Sequence, residues 1–305
     1  MNDLIPNIKS LELETIKNLK NSKSENTLRA YQSDYNDFSL FCSKNGFKPM
    51  PTQPKILALY ITHLSSFSKY STLKRRLASI SILHKIKGHY IDSKHPIIME
   101  NLMGIKRING SNQKGKKPLL INDLKLLIKA IDQSQEKDKR KIRDKALILI
   151  GFSGGFRRSE LVDIEHEDVE FVTEGVKIFV KRSKTDQSGE GMTKAIPYFN
   201  NENFCPVKSL KKWIEIIDFK GGRIFNISDK SVALIIKKYA IQAGLDSHKY
   251  AGHSLRSGFA TSAAESGAEE RSIMAMTGHK SSEMVRRYIK EANLFKNNAL
   301  NKIKI

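Results

Sequence analysis

Tyr288 stands nine residues after His279. Upstream of both lie His253 and Arg256 in an H-x-x-R spacing, and Arg157 in the string Gly155-Phe156-Arg157-Arg158-Ser159-Glu160-Leu161. Two guanidiniums, two imidazoles and a phenol are what a site needs to break and remake a phosphodiester without a metal. A phosphodiester carries one negative charge, which spreads over more oxygens as a nucleophile adds in line. Stabilising that charge is usually the largest catalytic effect, and a planar guanidinium meets two oxygens at once. His253 and Arg256, three residues apart, share a helical face, so one phosphate can meet both. Tyr288 is the candidate nucleophile, because a phenol near pKa 10 attacks from dry, cation-rich surroundings. His253 titrates in the range that suits proton transfer around it. The leaving oxygen also needs a proton, and Lys181, Lys184 and Lys194 all lie near one polar turn.

Other chemistries lack their residues. Glu165-His166-Glu167-Asp168 reads as a solvated face, since adjacent side chains do not readily converge on one ion. Gly151-Phe152-Ser153-Gly154-Gly155 lacks the Lys-Ser/Thr pair of a nucleotide-binding loop. Neither a metal nor a cofactor is expected.

The charge points to a polyanion. Lys plus Arg number 53 against 32 Asp plus Glu, a formal charge of +21. Binding of such a chain to duplex DNA is favoured by the release of counterions condensed on the phosphates. Lys74, Arg75 and Arg76 on a helix, and Lys114, Lys116 and Lys117 in a polar stretch, are the candidate backbone contacts. Cys42 and Cys205 have no metal spacing and read as small core residues of a reducing, cytoplasmic compartment. No apolar run reaches the roughly 18 residues of a membrane span, and the N-terminus lacks the pattern of a secretory signal.

Apolar periodicity places the elements that must hold these groups. Helices are expected over 24–45, 54–66, 71–88 and 96–105, with no strand between them. The basic, glycine-containing stretch 109–118 reads as a linker between domains at 1–108 and 119–305. Beyond it, helices are expected from Asn122 as cap to Ile131 and over 141–152, then three short strands at 169–171, 176–180 and 193–197. Helices return at 206–218 and 231–243, through the His253 segment, at 272–277 and from Ser282 onward. The fold class is mainly α, with a small three-stranded sheet in the second domain. In the tail, Leu294, Phe295, Ala299, Leu300 and Ile303 keep an apolar spacing.

These motifs resemble the tyrosine recombinases of the phage-integrase family, including the Xer-like site-specific recombinases. Gly155-Phe156-Arg157-Arg158-Ser159-Glu160-Leu161 is similar to the family's G-L-R-x-S-E-L, His253-Ser254-Leu255-Arg256 to its H-x-x-R, and Thr277-Gly278-His279-Lys280-Ser281 to its L-G-H segment. Arg286-Arg287-Tyr288 is similar to its closing tyrosine. The likeness is dense over 118–300 and looser over 20–108. It implies that Arg157, Arg256 and His279 bind the scissile phosphate, that His253 moves protons, and that Tyr288 attacks. Lys184 fits the family's hairpin lysine best and Lys181 is the second choice. It also implies a helical core-binding domain of SAM-like type and a helical catalytic domain with an antiparallel sheet, both gripping duplex DNA. The implied activity is site-specific cutting and rejoining through a 3′-phosphotyrosyl link, for integration, excision or resolution. A homotetramer on two DNA sites would perform it, the tail of each protomer inserting into a neighbour.

Overall fold

Ser24 fixes the start of the second helix, its hydroxyl accepting from the Thr27 amide at 3.3 Å. The computed structural model describes residues 7–110, 115–181, 183, 190–217, 221–292 and 299–303. They divide into two compact units, Met1–Lys114 and Gly115–Ile305. In the first, helices α1 (Ile8–Asn21), α2 (Glu25–Lys44), α3 (Pro54–Ser65), α4 (Tyr70–Ile86) and α5 (Pro96–Asn109) follow one another without a strand. Pro54 and Pro96 sit at helix starts, where a missing N–H costs nothing. Phe38, Cys42, Leu57, Ile61, Leu73, Ile80 and Ile98 are fully buried where α2 to α5 face one another. The expected helices begin only at residue 24, so α1 is an addition. Its Ile8, Leu11 and Leu13 are exposed.

A polar cluster is buried in this unit. Asp34, 3% exposed, pairs with Arg75 and lies 3.8 Å from Arg76 Nε. Ser79 Oγ donates to it at 2.7 Å. Arg76 also pairs with Asp37 and donates to the Tyr60 hydroxyl at 2.6 Å.

The second unit opens with α6 (Ile121–Gln133), whose cap position is Leu120 rather than the expected Asn122, and continues with α7 (Asp138–Ser153) and the five-residue α8 (Arg158–Val162). Strands β1 (Val169–Val172), β2 (Gly175–Val180) and β3 (Met192–Pro197) form one antiparallel sheet in sequence order. Val169 pairs with Ile178, and Ile178 with Lys194. Val176, Ile178 and Val180 alternate inward while Lys177 and Phe179 face out. Helices α9 (Pro206–Ile217), α10 (Asp229–Gln242), α11 (His253–Glu265), α12 (Glu270–Thr277) and α13 (Ser282–Ala292) complete it. The core runs through α6, α7, α9 and α10. There Trp213 Nε1 donates to Ile224 O at 3.0 Å and the Tyr239 hydroxyl to buried Asp144 at 2.9 Å.

A smaller cluster of Ala260, Ala264, Ile273, Val285 and Tyr288 packs α11, α12 and α13 together. Of the expected linker, residues 115–118 lie in the second unit, where the Lys117 amide donates to Lys249 O at 2.8 Å. The tail residues Leu294 and Phe295 lie outside the described residues, while Leu300 and Ile303 are exposed. Among the described residues no helix is long and apolar enough to cross a membrane.

Candidate active site

Arg157 is held from both ends of its own side chain's reach. It occupies the cap position of α8, and its amide donates to Glu160 Oε2 at 2.9 Å. Its Nη1 meets the other oxygen of the same carboxylate at 2.6 Å, and Nη2 reaches Gly278 O at 3.4 Å. Glu160 is thus cap and counter-ion together, buried with its side chain 1% exposed. Arg256 rises from the first turn of α11 and is 1% exposed. Its Nη1 donates to Gly155 O at 2.9 Å, while Nη2 is buried and has no hydrogen-bond partner among the described residues. Burial, then the nearby charge of Arg157, brings its pKa down to about 10. It remains a cation at neutral pH.

Gly278 ends α12 with φ of 63°, the left-handed turn that releases the chain into His279. His279 Nδ1 lies 2.8 Å from the Thr277 hydroxyl, and that hydroxyl donates its own hydrogen to Ile273 O at 2.6 Å. It therefore accepts from Nδ1–H, which leaves Nε2 as the second nitrogen of a neutral ring. Burial first, then Arg256, Arg157, His253 and Lys194, lower the His279 pKa to about 4. Thr277 is an addition to the sequence candidates, and its place two residues before His279 is the signal for it.

Tyr288 lies on α13, 7% exposed, with its hydroxyl 3.5 Å from His253 Nε2. The His279 and Tyr288 rings are 6.3 Å apart between centroids. Crowding by protein, followed by the charges of Arg256, Arg157 and Arg158, lowers the His253 pKa below its ordinary value. Neutral His253 can accept the phenolic proton at pH 7. Five of the six residues singled out for chemistry, Arg157, His253, Arg256, His279 and Tyr288, are thus placed around one site. Lys184 lies outside the described residues.

Lys181, the second choice, pairs with Glu165 and stands 3.2 Å from Asp168 Oδ1, facing away into its own ion pairs. That contact also corrects the reading of residues 165–168 as a solvated face. Asp168 is 7% exposed and accepts from the Glu165 amide at 3.0 Å. Among the described residues no group of three or more His, Cys, Asp or Glu is placed to hold a metal.

Of the candidate DNA contacts, Lys74 and Arg75 are exposed, Arg75 while paired with Asp34, whereas Arg76 is half-buried against Asp34 and Asp37. Lys116 Nζ donates to His248 O at 2.6 Å and Lys117 Nζ to Asp123 at 2.9 Å; Lys114 lies outside the described residues.

Residues 118–294 match the phage integrase family. Over the full length, the chain is 43% identical to an integrase/recombinase XerD homolog of Selenomonas ruminantium, covering 99% of this chain and 92% of that protein. It is 26% identical to the tyrosine recombinase XerC of Staphylococcus aureus, covering 92% and 91%. The fold is similar to the XerH site-specific recombinase bound to a palindromic difH substrate in a post-cleavage complex. There the TM-score is 0.65 at 19% identity, over 86% of this chain and 77% of that one. It is similar too to a lambda integrase dimer bound to a COC′ core site, with TM-score 0.60 at 19% identity over 96% and 98%.

Proposed function

The chain belongs to the phage integrase family, and from that premise we propose that it cuts and rejoins duplex DNA at specific sites through a phosphotyrosine intermediate. The observation that carries this reading is the 3.5 Å approach of the Tyr288 hydroxyl to His253 Nε2, beside two guanidiniums. Tyr288 Oη attacks the scissile phosphorus and its proton passes to His253. The bond from phosphorus to the 5′ oxygen breaks, and Lys184 protonates that oxygen as it leaves. The charge gathering on the non-bridging oxygens is met by Arg157 and Arg256, and by His279 once the bound phosphate has drawn a proton onto its Nε2. Arg256 Nη2 is the buried donor for which a phosphate oxygen is the natural acceptor. A 5′ hydroxyl from a partner strand reverses the step, so the bond energy is conserved. Paired strand exchange requires four protomers on two sites, and the +21 charge suits so long a polyanion.

The test is covalent capture. A pool of nicked random-sequence duplexes, in which cleavage releases a short fragment that diffuses away, is incubated with the protein and the adducts are sequenced. Wild type is expected to accumulate a 3′-phosphotyrosyl adduct at Tyr288, while Tyr288→Phe retains DNA affinity and accumulates none. An adduct at another residue, or none with wild type, sinks the reading. Exchange of strands between two captured sites then separates recombination from simple relaxation of supercoils.

A further inference from the structure

On β3, residues 194 and 196 face the interior, and 194 is a lysine where the alternation calls for an apolar residue. Lys194 is 0% exposed. Its Nζ donates to Gly154 O at 2.7 Å and to Met276 O at 2.5 Å, and sits 4.6 Å from the centre of the Phe156 ring. All three contacts belong to two segments, the turn after α7 and the C-terminal end of α12. Gly154, Gly155 and Phe156 lead directly into Arg157; Met276, Thr277 and Gly278 lead directly into His279. The two segments also touch each other, since a Cβ on Gly155 would stand 3.2 Å from Thr277 Cγ2.

We infer that Lys194 is a positioning residue that ties the turn before Arg157 to the end of α12 before His279, and so sets the spacing of two groups that grip the phosphate. The inference rests on the catalytic reading above. Arg157 Nη2 also reaches Gly278 O at 3.4 Å, a long contact from a side chain that must also serve substrate. Lys194 spans the same gap from behind with an amine that solvent does not reach.

Two alternatives differ in what they expect. If Lys194 only filled the core, a leucine or methionine would serve better, because desolvation pulls its pKa down to about 7. Arg256 and Arg157 add to that depression, Glu160 opposes it, and Lys194 in turn lowers the pKa of His279. A buried ammonium among like charges is unfavourable for stability, which argues that its two carbonyl contacts are what is retained. If Lys194 were the acid for the leaving oxygen, its N–H groups should face open space rather than two main-chain carbonyls. The clasp itself survives loss of the proton, since a neutral amine keeps two N–H donors.

The experiment uses the full chain and the duplex that wild type captures. Lys194→Met is expected to slow single-turnover cleavage at saturating duplex by about tenfold or more, as a misplacement near 1 Å does. Half-saturation should stay within about twofold, because the groups that contact duplex are untouched. The same defect is expected on a duplex with sulfur at the 5′ bridging position, which leaves without a proton. Rescue by sulfur would make Lys194 the acid and overturn the positioning role, and so would parallel losses of affinity and rate. Lys194→Gln, with an amide too short to span both carbonyls, is expected to show the same split and decides the matter if the Met variant does not fold. Cleavage at the wild-type rate by either folded variant overturns the inference. Absence of any adduct with wild type would instead indict the catalytic reading.

Discussion

Glu160→Gln removes one charge and almost no volume, and its effects can be worked out from the contacts of this carboxylate. One oxygen accepts from the Arg157 amide and the other pairs with the Arg157 guanidinium. The amide of glutamine keeps one acceptor, which can preserve the cap. It presents an N–H where the second oxygen stood, against a guanidinium that is only donors. Breaking a buried pair outright costs about 3–5 kcal/mol. With the cap kept and the Arg157 side chain 16% exposed, about 2 kcal/mol is the better figure. For a unit the size of Gly115–Ile305, each 1 kcal/mol shifts Tm by about 2–4 °C. The variant is therefore expected to melt about 4–8 °C lower in differential scanning fluorimetry. Cleavage should slow by about a hundredfold as Arg157 loses its orientation. Bound duplex should narrow the Tm gap, because a phosphate then supplies the anion that Arg157 lost. A variant melting within about 1 °C of wild type and cleaving at its rate would refute the claim that Glu160 holds Arg157.

Three further outcomes follow from the same geometry. Lys184→Ala is expected to slow cleavage of an ordinary phosphodiester and to be rescued by a 5′-bridging sulfur; an equal defect on both substrates would assign the acid elsewhere. The folded pKa of His279, about 4, lies below its ordinary 6.5, so the unfolded chain binds more protons between those values. Stability should accordingly fall as pH drops through that window, less steeply in His279→Gln. Duplex binding near pH 5.5 should take up a proton that the variant does not, read as buffer-dependent enthalpy in calorimetry; equal uptake by both proteins would refute the assignment. In the first unit, Arg76→Ala should lower Tm by opening the Asp34–Asp37 cluster, whereas Lys74→Ala should leave Tm unchanged and reduce the salt dependence of DNA binding. Identical behaviour of the two variants would show that the buried cluster carries no stability.

Much of this site is legible because its residues are spaced along single elements. His253 and Arg256 share the first turns of α11, and Tyr288 falls on α13 at a helical distance from the Gly278 turn. Four helices of the first unit are legible from their apolar stripes and proline starts, and the three strands from alternation. What escapes is contact between segments far apart in the chain. Lys194 reads as one more basic residue near a polar turn until β3 pairs with β2 and turns it toward Gly154. Asp168 reads as solvated because its partner Lys181 follows β2, beyond the local pattern. Arg75 and Arg76 read as two more basic residues on α4 alone, and their ion pairs with Asp34 appear only once α2 packs against it. Helix α1 leaves Ile8, Leu11 and Leu13 in solvent.

The way the chain enters its second unit has a practical consequence for anyone who would work with that unit alone. Leu119 is 0% exposed, its amide donates to Ser254 O at 2.9 Å, and its carbonyl lies so close to Gly258 that a Cβ there would stand 2.0 Å away. Two residues earlier the Lys117 amide bonds Lys249 O. The strip from Lys117 to Leu119 is thus a staple laid over α11, the helix that carries His253 and Arg256. A fragment cut at the visible start of α6 would take the Leu119 amide away from Ser254 O and open the groove above Gly258. A catalytic fragment worth expressing begins at Gly115 or earlier, so that the staple goes with the helix it holds.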